Sequence, residues 1–310
     1  MFLFCGLVTV ITAPFVYWKL DSDITTARFL TEHERLQGAE RLRANNDSVE
    51  GSHQFKWGQV LEAFIDPKTW LWVILALLPN LGSALPSFFG PLLIEGFGFD
   101  PYQTLLLNMP FGALQTIVII LGCWAAHHMR IKSVILLVCM LPVVAGTAML
   151  YSIPRGTGQE AALLAAYYII AFLFSANPLL LSWMVGNTAG ATKKAVTVSL
   201  YQAGSSAGAL TGPLLFTEDQ APDYLKAILS VMGVFIAMIA CIIIQTAILF
   251  VMNKFQEKRR VRNGKDAKIV DRSMQKAMTQ TDGKTQDEVL VDEAPPDITD
   301  RENDEFVYIL

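Results

Sequence analysis

LKAILSVMGVFIAMIACIIIQTAILFVM, residues 225–252, carries a single charge, Lys226, and that residue stands at its edge. Crossing a bilayer takes about 20 consecutive apolar residues, because lipid cannot hydrogen-bond a peptide group and every one must be satisfied within its own helix. The run therefore reads as a transmembrane helix, with Lys226 able to snorkel to the interface. Lys254, Lys258, Arg259, Arg260 and Arg262 follow at once as a basic flank.

Working back from this stretch, the pattern recurs at residues 2–18, 69–89, 104–126, 133–153, 161–187 and 195–216. Of the 310 residues 53% are hydrophobic and 17% charged, against about 25% charged in soluble domains. The shortfall is concentrated in these windows. The expected fold class is an all-α integral membrane protein of about seven transmembrane helices. Residues 2–18 lack the basic start of a signal peptide, and Tyr17-Trp18-Lys19 reads as an interfacial anchor, so they count as a helix.

Every second connection is basic. Residues 19–68 hold Lys19, Arg28, Arg35, Arg41, Arg43, Lys56 and Lys68; the later ones hold Arg130 with Lys132, then Lys193 with Lys194, then the flank after residue 252. The positive-inside rule puts this set in the cytoplasm, with the amino terminus outside and the carboxy terminus inside. The net charge of −4 hides a split: residues 281–310 carry ten acids against Lys284 and Arg301, −8 in all, leaving +4 for the rest. Nothing in this distribution suggests nucleic-acid binding.

The two polar segments differ in kind. Thr31 and Glu34 have the spacing of a capping box, and Leu36, Ala39 and Leu42 continue at helical period, so a surface helix of three turns is expected there. Residues 45–52 read as a link, and 55–63 as a second amphipathic piece leading to Asp66-Pro67. Residues 265–298 are too poor in apolar side chains to bury a core and are expected to be disordered. The domain reading is thus a helix at 1–18, a central loop at 19–68, a six-helix unit at 69–252 and a mostly disordered cytoplasmic tail at 253–310.

No Asp, Glu, Lys or Arg lies deep in a window, where a charge usually marks a coupling site. Uncharged polar residues do. Pro79-Asn80-Leu81-Gly82 can interrupt its helix, and broken helices commonly line transporter sites, which makes Asn80 and Ser83 the first substrate-lining candidates. Gln115 in the next window, Tyr168 and Asn177 in the fifth and Gln202 in the sixth complete the set, with Asn108 and Tyr167 nearby. Packing between helices is the alternative for Asn80 and the simpler account of each of the others taken alone; together they supply a polar lining. Gly204, Gly208 and Gly212 recur every four residues and read as a helix-packing face.

Catalytic and metal chemistry find no foothold. Cys5, Cys123, Cys139 and Cys241 all lie in apolar windows without metal-ligand spacing, and adjacent His127 and His128 do not share a helical face. There is no nucleophile–base pair, phosphate loop or paired carboxylate. The reading is a non-enzyme without cofactor or metal, with the lipid bilayer as a partner; transport of a small-molecule solute, reception and scaffolding are the functions left open.

Several stretches together carry a family resemblance. They are Ala27-Arg28-Phe29-Leu30-Thr31 through Glu34-Arg35, Arg41-Leu42-Arg43-Ala44-Asn45, and Phe55-Lys56-Trp57 with Asp66-Pro67-Lys68-Thr69-Trp70. Further along stand Phe89-Gly90-Pro91 with Gly96-Phe97-Gly98-Phe99, Asn187-Thr188-Ala189-Gly190 with Thr192-Lys193-Lys194, Gly212-Pro213 with Phe216, and Thr299-Asp300-Arg301-Glu302-Asn303 with Phe306 and Tyr308. The chain resembles the fungal allantoate and nicotinate permeases, in the anion:cation symporter branch of the major facilitator superfamily, over nearly its whole length. The resemblance implies helices 6–12 of a twelve-helix fold, with residues 2–18 as the sixth. It implies transport of a small organic anion, vitamin or nitrogen compound across the plasma membrane, the vacuolar membrane being the alternative, by rocking of two six-helix halves. Proton coupling would come through the amino-terminal half. The Asp-Arg pair usual after the eighth helix is missing from Ala126-His127-His128-Met129-Arg130-Ile131-Lys132, which weakens a latch there. Five helices of the first half are also missing, so the chain is expected to be truncated. An inactive or regulatory permease fragment, and a seven-helix receptor, are the alternative readings.

Overall fold

The structure, a computed structural model, describes residues 2–21, 27–35, 38, 55–129, 131–154, 158–217, 220, 224–266, 297–304 and 306–310. Most of the helix expected beyond Thr31 and most of the segment expected to be disordered lie outside these residues. The chain divides into two compact units, Met1–Gln54 with Val270–Ile298, and Phe55–Ile269 with Thr299–Leu310.

In the first unit α1 spans Phe2–Lys19. Further on, the Thr31 amide donates to Glu34 Oε2 at 2.9 Å and the Glu34 amide to Thr31 Oγ1 at 3.4 Å, which closes the capping box and starts a helical turn at residues 32–35. Arg28 pairs with Asp21 at 3.3 Å.

The second unit is a helical bundle. The short α2, Trp57–Ile65, leads into α3, Pro67–Gly82. Asp66 caps α3 by accepting from the Lys68 amide at 3.1 Å, and Pro67 fills the first helical position, where a missing N–H costs nothing. The short α4 (Ala84–Ser87) and α5 (Gly90–Gly96) precede α6 (Pro101–Met129) and α7 (Lys132–Ser152). The next crossing is discontinuous: α8, Glu160–Ile169, gives way to a 3-10 stretch, Ile170–Ser175, and then to α9, Ala176–Gly186. Pro178 explains part of the break, since it cannot donate to the carbonyl four residues earlier. The last two helices are α10, Ala191–Thr211, and α11, Leu225–Arg262. At 1.5 Å per residue α11 is about 57 Å long, so its basic last turns extend well past a hydrocarbon core of about 30 Å.

Among the described residues five stretches are long and apolar enough to cross a membrane: Pro67–Ser87, Pro101–Met129, Lys132–Ser152, Glu160–Gly186 and Leu225–Arg262. Two more helices have spanning length, α1 and α10. Glycine, serine and threonine make α10 less apolar than its neighbours.

The core is organised around α3. Cβ atoms added at Gly204 and Gly212 would stand 2.6 Å from the carbonyl oxygens of Val73 and Leu81, and one at Gly208 would strike the Leu77 carbonyl. Three glycines spaced by four thus run along three carbonyls spaced by four, and α10 lies against the bare backbone of α3. On another face of α3, Phe235 of α11 occupies the space where Gly82 lacks a side chain. Trp72 and Trp183 meet edge to face at 4.8 Å between α3 and α9. At the end of the bundle reached by the last turn of α3, Phe89 stacks on Phe216 at 4.0 Å with Tyr224 beside them. The opposite end gathers Asp66, Lys68, Lys132, Lys193 and the last turns of α11; it is called the basic end below. Leu105, Leu106, Ile117, Ile120, Leu121 and Trp124 leave one side of α6 apolar and exposed, as suits contact with lipid.

Candidate functional site

Two polar regions lie within the bundle, one at mid-depth and one at the basic end. At mid-depth the Asn80 side-chain amide donates to the Ala76 carbonyl at 2.8 Å and to Asn177 Oδ1 at 3.4 Å. The contact joins α3 to α9 where both paths are interrupted. Pro79 precedes Asn80 and α3 ends at Gly82, while the 3-10 stretch ends just before Asn177. Ser83 donates to the Asn80 carbonyl at 2.8 Å, which satisfies an acceptor left open by the break.

Tyr168 stands apart from this pair and donates to the Leu107 carbonyl of α6 at 2.6 Å, while its neighbour Tyr167 donates to Asn108 Oδ1 at 3.0 Å. Gln115 is half-buried and Gln202 exposed. The fold therefore brings Asn80, Ser83 and Asn177 together, attaches Tyr168 to the wall of α6, and leaves Gln115 and Gln202 elsewhere.

The basic end holds an ion cluster that sequence reasoning missed. Lys68 Nζ lies 2.6 Å from Asp300 Oδ2, and Lys193 Nζ lies 2.9 Å from Asp300 Oδ1. Lys193 also pairs with Asp66 at 3.1 Å and with Glu62 at 2.9 Å. The side chains of Lys68, Lys193, Asp66 and Asp300 are all at most 1% exposed. Lone buried charges would be prohibitive, and this group persists because each ammonium meets at least one carboxylate and Lys68 also donates to the Asn187 carbonyl at 2.8 Å. Burial alone would raise the Asp300 pKa; the two ammoniums outweigh it and hold the carboxyl well below the usual carboxylate range. Tyr308 donates to Asp300 Oδ2 at 2.9 Å and lays its ring 4.8 Å from Lys68 Nζ. Burial, followed by the nearby Asp300 charge, pushes its hydroxyl well above the ordinary phenol value, so it stays a donor.

Local structure delivers each member. Glu62 comes from α2, and Asp66 and Lys68 from the cap and first turn of α3. Lys193 comes from the first turn of α10. Gly190 precedes that turn at φ +92°, a left-handed conformation that glycine takes without strain. Gln59 Oε1 accepts from the amides of Thr192 and Lys193 at 3.1 Å each, so α2 supplies the cap that α10 lacks in its own sequence. Asp300 arrives on the carboxy-terminal segment. In a reading that assigned residues 253–310 to a tail, the continuation of α11 to Arg262 and the burial of Thr299, Asp300, Phe306 and Tyr308 inside the second unit were not foreseen.

Among the described residues no group of His, Cys, Asp and Glu could hold a metal ion. The rings of His128 and Trp124 stack at 5.2 Å.

A bundle of membrane-length helices, closed by a glycine face and holding paired amides at helix interruptions, defines the class: a polytopic α-helical membrane protein built like part of a carrier. The chain belongs to the Major Facilitator Superfamily, whose family model matches residues 1–213. It is 35% identical over 246 residues to the MFS-type transporter cnsL of Penicillium expansum, covering 79% of this chain and 49% of that protein. It is 28% identical to the thiamine pathway transporter THI73 of Saccharomyces cerevisiae, over 84% of this chain and 49% of the relative. The allantoate permease of the same yeast is also 28% identical, over 84% of this chain and 48% of the permease. The chain spans about half the length of these relatives. No solved structure matches it.

Proposed function

We propose that this chain forms the carboxy-terminal half of a fungal solute permease that moves a small organic anion, vitamin or nitrogen compound across the plasma membrane, coupled to protons in the full-length form. In this reading residues 1–18 are the sixth helix, 19–68 the central loop, 69–252 the six-helix half and 253–310 the tail, and the basic end faces the cytoplasm. The observation that carries it is the Asn80–Asn177 contact at 3.4 Å, where two interrupted helices present amide side chains at mid-depth. Such interruptions free backbone and side-chain groups to meet a solute. Ser83 lies beside that pair, and Tyr168, Gln115 and Gln202 are further lining candidates away from it. The absence of charge deep within the spans is what supports placing the proton-coupling group in the preceding, amino-terminal half. Relatives named as an allantoate permease and a thiamine pathway transporter support the solute class, and they support a carrier over an enzyme.

The test is uptake of a panel of labelled organic anions, vitamins and nitrogen compounds, allantoate included, by yeast producing the full-length gene product. Saturable uptake that collapses in N80A and N177A is the expected result. Uptake of a panel member unchanged in both variants would remove these residues from the site.

A further inference from the structure

The last twelve residues are held in a way that the transport reading does not require. Asn253 of α11 donates its side-chain amide to the Tyr308 carbonyl and accepts from the Tyr308 amide, both at 2.8 Å. Asn187, just beyond α9, does the same for the next residue, donating to the Ile309 carbonyl at 3.0 Å and accepting from the Ile309 amide at 2.8 Å. Two side-chain amides thus satisfy both backbone groups of two consecutive residues, the role a neighbouring strand plays when a peptide is added to a sheet edge. Trp183 adds a hydrogen bond to the Ile309 carbonyl at 2.8 Å. Gln256 spans the other end of the segment, donating to the carbonyls of Asp300 at 3.0 Å and Asn303 at 3.2 Å.

Backbone contacts of this kind supply affinity, and buried side chains supply selectivity. Asp300 is fully buried against two ammoniums, while Phe306 and Tyr308 are 1% and 2% exposed and pack edge to face at 4.9 Å. The residues before the segment, 267–298, are strongly polar in sequence. Covalent attachment makes binding of the segment intramolecular, so a modest intrinsic affinity keeps the site filled.

We infer that the basic end of this bundle is a peptide-recognition site, and that its ligand is the chain's own segment 299–310, bound as an exchangeable tethered peptide. The site reads an aspartate followed after several residues by an aromatic, apolar stretch. Its occupant ties together the starts of α3 and α10 and the ends of α9 and α11. Release would leave Lys68 with the Asn187 carbonyl and Asp66, whose carboxylate is 3.9 Å away, so the state of the segment sets how firmly these helices are clamped.

The experiment uses the intact protein, folded and purified in detergent with a protease site inserted between residues 270 and 298. After cleavage, a fluorescein-labelled synthetic peptide of residues 299–310 is added, and bound peptide is followed by size exclusion and anisotropy. The expected result is that the cleaved segment is retained and then exchanges, saturably, for the labelled peptide, with D300N peptide binding at least tenfold more weakly and a scrambled peptide not at all. Three results would overturn the inference: retention without exchange, failure of the labelled peptide to bind, or equal binding of the D300N peptide. Because folding precedes cleavage, loss of the segment cannot be confused with a chain that never folded.

Discussion

Lys68 and Asp300 stand 232 positions apart in the chain and 2.6 Å apart in the fold, with neither side chain more than 1% exposed. This contact makes the carboxy-terminal segment part of the bundle. Replacing Asp300 by asparagine keeps the shape and removes the charge, leaving two buried ammoniums short of a carboxylate. Breaking a buried pair from one side costs about 3–5 kcal/mol, so D300N should lower the apparent melting temperature in detergent clearly. Asp304 is the control: its partners Lys265 and Asn263 are at the surface, and exposed pairs contribute only about 0–1 kcal/mol. D304N should therefore melt close to wild type. Equal losses in the two variants would mean that burial at Asp300 carries no weight.

The same carboxylate predicts a pH dependence. Its pKa in the folded protein lies below the 3.8 of an unperturbed aspartate. A depressed carboxylate stabilises the fold fully above the unfolded value and loses that contribution as pH falls through the folded one. The stability gap between wild type and D300N should therefore be flat from pH 6 to 8 and shrink below about pH 4. Melting curves of both proteins across that range check the sign. A gap that widens on acidification would contradict it.

The glycine face of α10 gives a packing prediction. A methyl group at position 208 must displace the Leu77 carbonyl of α3, which is backbone and cannot rotate away. Overpacking of this kind typically costs about 1–3 kcal/mol. G208A should lower the melting temperature and G208L should prevent folding into detergent-stable protein. Gly112 of α6 has nothing within 4 Å of the added atom, and alanine is the better helix former by about 1 kcal/mol. G112A should be neutral or slightly stabilising in the same assay.

Much of this fold was legible in sequence because lipid imposes one rule on every span. The window at 225–252 and the spacing of Gly204, Gly208 and Gly212 each follow from local composition, whereas the helix expected to break at Pro79-Asn80 runs through both residues to Gly82. The ion cluster was not legible. Asp66, Lys68, Lys193 and Asp300 are four ordinary interfacial charges in sequence, and no spacing rule relates residue 66 to residue 300. Lys68 and Lys193 entered as votes for orientation and, with Asp66 and Asp300, as parts of the stretches that carry the family resemblance, never as one cluster. One signal was present: the chain turns from an acidic polar stretch to Phe306-Val307-Tyr308-Ile309-Leu310, an apolar end that a solvated tail would not need. At mid-depth, sequence named Asn80 and Asn177 separately, while their meeting depends on how α3 crosses α9 and is a property of the fold alone.

The Asn80–Asn177 contact can be separated from simple helix packing by comparing two measurements on the same variants. Hydrogen bonds between side chains of membrane helices contribute about 0.6 kcal/mol on average. If the pair served packing alone, N80A, N177A and the double variant would each lose about that much stability, and uptake would fall only in proportion to the protein surviving at the membrane. If the amides line the solute path, uptake per molecule must change as well. The expected outcome is a stability loss under about 1 kcal/mol together with at least a tenfold rise in KM for the transported solute. The two single substitutions should be non-additive in KM, because either one disrupts the pair that orients the other amide. Surface-normalised uptake kinetics on the full-length protein, with melting curves from the same preparations, provide both numbers. A KM that tracks wild type while stability falls would assign the pair to packing.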